Sequence, residues 1–66
     1  MKFLDAVNKA YEKAHTFGGS VRISRKDKKD DLCVAYIYGD GIGTFRFDEF
    51  SVEDLNADDW NVADER

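Results

Sequence analysis

The apolar positions of residues 2–16, KFLDAVNKAYEKAHT, recur at helical spacing. Phe3, Val7, Ala10, Tyr11 and Ala14 follow the i, i+4, i+7, i+8, i+11 steps of one helix face, with Lys9, Glu12 and Lys13 outside it. Three alanines lower the cost of forming that helix. Gly18-Gly19 predicts its end, because glycine adopts the left-handed cap conformation at little cost. Beyond the glycines the period shortens to 2. In SVRISR, residues 20–25, Val21 and Ile23 alternate with Arg22 and Ser24, the pattern of a half-buried strand. LCVAYIY, residues 32–38, is continuously apolar and rich in β-forming residues, which predicts a central strand covered on both faces. KDKKDD, residues 26–31, joins the two strands as a polar connector. Gly39-Asp40-Gly41 predicts a hairpin turn into IGTFRFD, residues 42–48, where Phe45 and Phe47 share one face.

The pattern then returns to helix for one or two turns. Ser51 followed by Asp54 matches a capping box, with Phe50 and Leu55 at the two positions of a hydrophobic staple. Glu53 and Asp54 stand in the first turn, where the helix dipole favours negative charge. A short helix is therefore predicted over residues 52–57, followed by a closing strand that carries Trp60 and Val62 on one face. The whole is an α+β fold in a single domain spanning residues 1–66. An N-terminal helix packs on a small antiparallel sheet of three to four strands, with a short helix before the last strand.

Composition narrows what such a domain can do. A chain of 66 residues buries only about 60% of its unfolded surface, so its core needs help. One cysteine, Cys33, excludes an intrachain disulfide and a Cys-pair zinc site, and His15 is the one histidine, so no metal site is expected. Oligomerisation is the remaining support, and a homo-oligomer is expected. No run approaches the roughly 20 apolar residues of a membrane span. A free cysteine without a signal-peptide pattern reads as cytoplasmic. Charge is divided unevenly: residues 1–39 hold eight Lys/Arg against five Asp/Glu (+3), residues 40–66 two against nine (−7), summing to −4. That balance argues against a nucleic-acid partner and leaves room for a small anion at the basic end.

The catalytic inventory is thin. Cys33 sits in the most apolar segment, as a buried, inert thiol would. His15 at a helix end suits a charge facing the terminal carbonyls. Ser20, Ser24 and Ser51 have no histidine in sequence-local reach, and the cap already accounts for Ser51. Asp58 and Asp59, as neighbours on a strand, would point to opposite faces. The Gly39–Gly43 stretch leads into a strand, whereas a phosphate-cradling loop leads into a helix. No catalytic residue and no cofactor is expected. Binding is better supported. Nine aromatics in 66 residues exceed what so small a sheet can bury. Tyr36, Phe47 and Trp60 are candidates to stack on a base, Arg22 and Arg25 to meet phosphate, and Asp59 to accept from ribose hydroxyls.

The pattern Met1-x-Phe3-x-x-Ala6, then Val21-Arg22, then Ser51-x-x-Asp54-Leu55-x-Ala57-Asp58-Asp59-Trp60-x-Val62 resembles a family of small phage proteins. That family includes the type II Thoeris anti-defence proteins, and the likeness is most specific over residues 51–62. The resemblance implies oligomers of a helix and an antiparallel sheet. It implies that they hold a cyclic signalling nucleotide of the cyclic ADP-ribose type between subunits, sequestering it from a host defence effector without cleaving it. It carries Asp59, Trp60 and the Ser51 cap over to the ligand-binding segment, with Arg22 as a further match. On this reading the protein acts in the host cytoplasm. An alternative from another class is an acidic inhibitor whose −7 segment occupies a basic groove on a host nuclease, polymerase or other defence protein.

Overall fold

The computed structural model describes residues 1–26 and 33–64. Apart from Lys26, the expected polar connector lies outside them, as does the first residue of the strand expected over 32–38. Helix α1 (Phe3–Phe17) opens the chain. Its buried line is Ala6, Ala10 and Ala14, each at most 1% exposed, while Phe3 and Val7 are half-buried and Tyr11 is exposed. The stripe is thus turned from the larger apolar residues towards the alanines. Three methyl groups at a spacing of four let a helix lie close on a sheet, and the bulkier side chains take the flanks. Gly18 ends the helix at φ +84°, its N–H donating to the Ala14 carbonyl at 2.8 Å.

Strands β1 (Ser20–Arg25), β2 (Cys33–Tyr38), β3 (Gly43–Phe47) and β4 (Trp60–Asp64) form one sheet in the order β3-β2-β1-β4, each pair antiparallel. The hairpin between β2 and β3 closes with Tyr38 N–H donating to the Ile42 carbonyl at 2.9 Å and Gly41 at φ +89°. The Asp40 side chain accepts from Ile42 N–H at 3.0 Å, the local bond that makes aspartate a turn former. The turn also touches the helix end. A Cβ on Gly39 would sit 2.8 Å from the Ala14 carbonyl oxygen, so only a hydrogen fits. The His15 ring nitrogen Nδ1, in the last turn of α1, lies 3.2 Å from the Gly39 carbonyl oxygen, which ties the helix end to the hairpin.

Register decides which side chains meet. Val21 stands opposite Ile37, Ile23 opposite Ala35 and Val62, and Cys33 opposite Phe47. These positions share the side of the sheet that α1 covers, and with the helix alanines and Trp60 they make the core. Complete burial of a side chain such as Ile23 contributes about 1.5–3 kcal/mol. The opposite side is different. No described element covers it, although the unbroken apolar run of β2 pointed to cover on both faces. Val34 is buried there at 4% exposure, but Tyr36 is half-buried and Tyr38 is 40% exposed. Tyrosine reads as apolar in a sequence pattern, yet its hydroxyl lets the ring stand at a wetted surface.

Between β3 and β4 the chain forms α2 (Val52–Asn56). The capping box is present. Asp54 N–H donates to Ser51 Oγ at 3.4 Å, and Ser51 N–H donates to Asp54 Oδ2 at 2.8 Å. The two staple residues, Phe50 and Leu55, keep 37% and 46% of their surface exposed. Phe50 instead stacks on Phe47, with ring centres 4.3 Å apart, and Phe3 meets Trp60 edge-on at 4.9 Å. This ring cluster ties the start of α1 to the α2 end of the sheet.

Candidate functional site

Arg25 is the last residue of β1 and stands opposite Trp60 in the register with β4. Its strand position aims the side chain to the helix-covered side, under the turn that leads from α2 into β4. There the guanidinium forks onto Asp59, with Nε to Oδ1 at 2.7 Å and Nη2 to Oδ2 at 2.9 Å. Nη1 donates to Asp54 Oδ1 at 2.5 Å. Asp54 is fully buried, and its second oxygen takes the Ser51 N–H and, at 3.1 Å, the Ser51 hydroxyl. The indole N–H of Trp60 donates to the Asp54 main-chain carbonyl at 2.8 Å. One aspartate therefore caps α2, receives the arginine and anchors the tryptophan.

The electrostatics follow from that closure. Hydrogen bonds donated to Asp59 first, and to Asp54 second, hold the Arg25 guanidinium protonated beyond its already high ordinary range. The side chain is only 13% exposed and Asp54 only 1%, so the pairs are shielded from water. Truncating one partner of such a pair costs about 3–5 kcal/mol, because the other charge is left buried without compensation.

Arg22, three residues earlier on the same strand, leaves the sheet on the uncovered side. It stands directly opposite Tyr36 on β2 and Ala63 on β4. Arg46 on β3 stands opposite Val34, which places it diagonally across from Tyr36 on the same side. Directly opposed residues have Cβ atoms about 4.5–5.5 Å apart and diagonal ones about 7–8 Å, within reach of long side chains. Tyr36 thus stands between the strand positions of two arginines. Arg22 and Arg46 are the charged residues among the described strand positions of this side, in a chain of net charge −4. Arg46 also lies 3.8 Å from Asp48 in an exposed pair, an arrangement that contributes little in water. A planar ring can stack on Tyr36, and guanidiniums on both sides can donate to phosphate oxygens.

The six candidate ligand residues are accordingly divided. Arg25, Asp59 and Trp60 are brought together with one another and with Asp54. Phe47 joins them through the ring cluster, with its ring 6.2 Å from Phe3. Arg22 and Tyr36 are brought together elsewhere, on the other side of the sheet. Two residues were missed. Arg46 went unnoticed because its position opposite β2 depends on the hairpin register. Asp54 was read as a cap alone, since nothing local links it to an arginine 29 residues away. None of the six lines the groove of about 330 Å³ between α1 and the hairpin, which is walled by Val7, Asn8, Tyr11, Ile37, Gly41 and Phe45, with Gly43.

Among the described residues no cluster of three or more His, Cys, Asp or Glu could hold a metal ion, and no helix is long and apolar enough to cross a membrane. No protein-family model matches this chain, and no curated protein or solved structure matches it.

Proposed function

We propose that the protein binds a cyclic signalling nucleotide of the cyclic ADP-ribose type and sequesters it intact, as a phage counter-defence protein acting in the host cytoplasm. The observation that carries the reading is the pairing of Arg22 with Tyr36 on the side of the sheet that no described element covers. Stacking on Tyr36 holds a base without regard to its hydrogen-bonding edge, and Arg22 and Arg46 meet the phosphates. The likeness of residues 51–62 to the type II Thoeris anti-defence family supports the same ligand class. In that segment the Ser51 cap, Asp59 and Trp60 act by fixing the fold, since their polar groups are turned inward on Arg25 and Asp54. In the homo-oligomer expected of so small a core, neighbouring copies add walls to an otherwise shallow surface.

Titration calorimetry against cyclic ADP-ribose isomers and linear ADP-ribose tests the reading. Saturable binding at micromolar ligand is expected, with the ligand recovered unchanged in mass. No heat from any of them removes the proposal, and recovery of a cleaved product removes the sequestration.

A second reading has its own observation. Asp40, Asp48, Glu49, Glu53 and Asp58 are all exposed, with 81% of the Asp58 side chain in contact with solvent. Such a surface suits a basic groove on a host nuclease or polymerase. A complex of that kind weakens steeply as salt rises, whereas stacking on Tyr36 does not.

A further inference from the structure

The two edges of the sheet differ. At β4 the outward N–H of Trp60 is taken by the Met1 carbonyl at 2.9 Å. At β3 no described strand pairs on the outer side. The ladder fixes which groups stand open there. Tyr38 N–H on the Ile42 carbonyl starts the pairing with β2, and antiparallel bonding alternates from that point. Thr44 and Arg46 therefore bond inward to β2, while Gly43, Phe45 and Phe47 turn their N–H and C=O groups outward. Edges are commonly blunted by proline, lysine or a bulge. Gly43–Phe47 has neither residue, and its register runs unbroken.

The side chains along this edge are apolar on the helix-covered side. Phe45 shares that side with Phe47 and is 50% exposed. With Val7 and Tyr11 of α1 it walls the groove of about 330 Å³ between the helix and the hairpin. Beyond the two ends of the strand the exposed charges are acidic, Asp40 in the turn before it and Asp48 and Glu49 after it.

We infer that the β3 edge takes an extended segment of another protein as a fifth strand, with apolar side chains at alternate positions and a basic residue at each end. A row of outward N–H and C=O groups recognises main chain, so it selects an extended peptide. Every second side chain of such a strand falls beside Phe45 and the groove, where an apolar group covers the exposed ring. In a seven-residue peptide antiparallel to β3 and centred on Phe45, one end residue stands opposite Asp48. The other end lies beside the turn that holds Asp40. The net charge of −4 also favours a cation over an anion. The inference rests on this edge and not on the nucleotide reading.

The probe is a capped synthetic peptide, Lys-Val-Ser-Phe-Ser-Val-Lys, titrated at low salt into the isotope-labelled full chain and read by NMR and amide hydrogen exchange. Saturable binding is expected. Exchange should slow most at Gly43, Phe45 and Phe47, and less at Thr44 and Arg46, which already bond to β2. N-methylation of the peptide's phenylalanine removes the N–H that faces β3 and is expected to abolish binding. N-methylation of the neighbouring serine, whose N–H faces away, is expected to leave it. Glutamate in place of both lysines is expected to weaken it. Asp48→Lys, at an exposed position, is expected to weaken the lysine-ended peptide about two- to fivefold, with an unchanged far-ultraviolet dichroism spectrum. No binding, or slowing centred elsewhere, overturns the inference. So does equal binding of the phenylalanine-methylated peptide, of the glutamate-ended peptide, or to the Asp48→Lys chain. Slowing of the same amides as protein concentration rises without peptide assigns the edge to a second copy and overturns it too. Because no nucleotide is present, none of these outcomes depends on whether one binds.

Discussion

Arg25 and Arg22 leave the same strand on opposite sides of one sheet, and their surroundings differ completely. Around Arg25 the chain supplies two carboxylates, a capped helix and a tryptophan, so that all three guanidinium nitrogens are engaged within the protein. Directly opposite Arg22 stand Tyr36 and Ala63, with Ser20 and Ser24 two residues away on its own strand. The same functional group is thus used once to lock the fold and once in a setting suited to an outside anion. A guanidinium is no sign of a ligand by itself. Which side of the sheet it leaves, and what its strand neighbours are, separates the two settings.

The comparison is broken most severely at the closed end. Arg25→Ala is expected to lower the unfolding free energy by about 3–5 kcal/mol in urea titration, because Asp54 is left buried without its cation. Arg46→Ala, at an exposed position on the same side of the sheet as Arg22, is expected to change stability by about 0.5 kcal/mol or less, as surface substitutions do. Equal losses at the two sites would abolish the distinction. Next in size is the ligand side. Arg22→Ala is expected to weaken nucleotide binding by about 1.5–3 kcal/mol, the contribution of a charge-assisted bond. Tyr36→Ala is expected to weaken it by about 1–3 kcal/mol through lost stacking. Calorimetry on the folded variants reads both. Trp60→Phe keeps a ring but removes the indole donor to the Asp54 carbonyl, with an expected stability loss of about 1–3 kcal/mol. Ser51→Ala is expected to cost about 0.5–2 kcal/mol through the cap.

A cation whose folded pKa is raised adds stability below its ordinary value, and that stability is lost only as pH climbs through the raised one. For Arg25 both lie above the neutral range, so the guanidinium contributes a constant term there and no slope.

Much of the fold was legible because local rules and the global arrangement agree. The Asp40-Gly41 hairpin, the Ser51–Asp54 box and the Gly18 stop each depend on residues a few positions apart, and each forms where the pattern puts it. The site was less legible. Grouping Arg22 with Arg25 overlooked strand parity, since residues three apart on a strand point to opposite sides. That signal was present in the sequence. The Arg25–Asp54 pair was not, because it needs β4 hydrogen-bonded to β1 and α2 folded back beneath it. The alanine line of α1 was obscured for another reason. A hydrophobic count favours large side chains, whereas a close helix–sheet approach favours small ones.

Helix α2 has five residues, far fewer than a helix needs to persist alone in water. The Asp54 side chain fastens it to the last residue of β1, and the Asp54 carbonyl fastens it to the first residue of β4. Its first turn therefore cannot unwind without exposing a buried ion pair and releasing the tryptophan. Amide protons in that turn should exchange with deuterium on the slow clock of the central strands, so that by kinetics the segment belongs to the sheet.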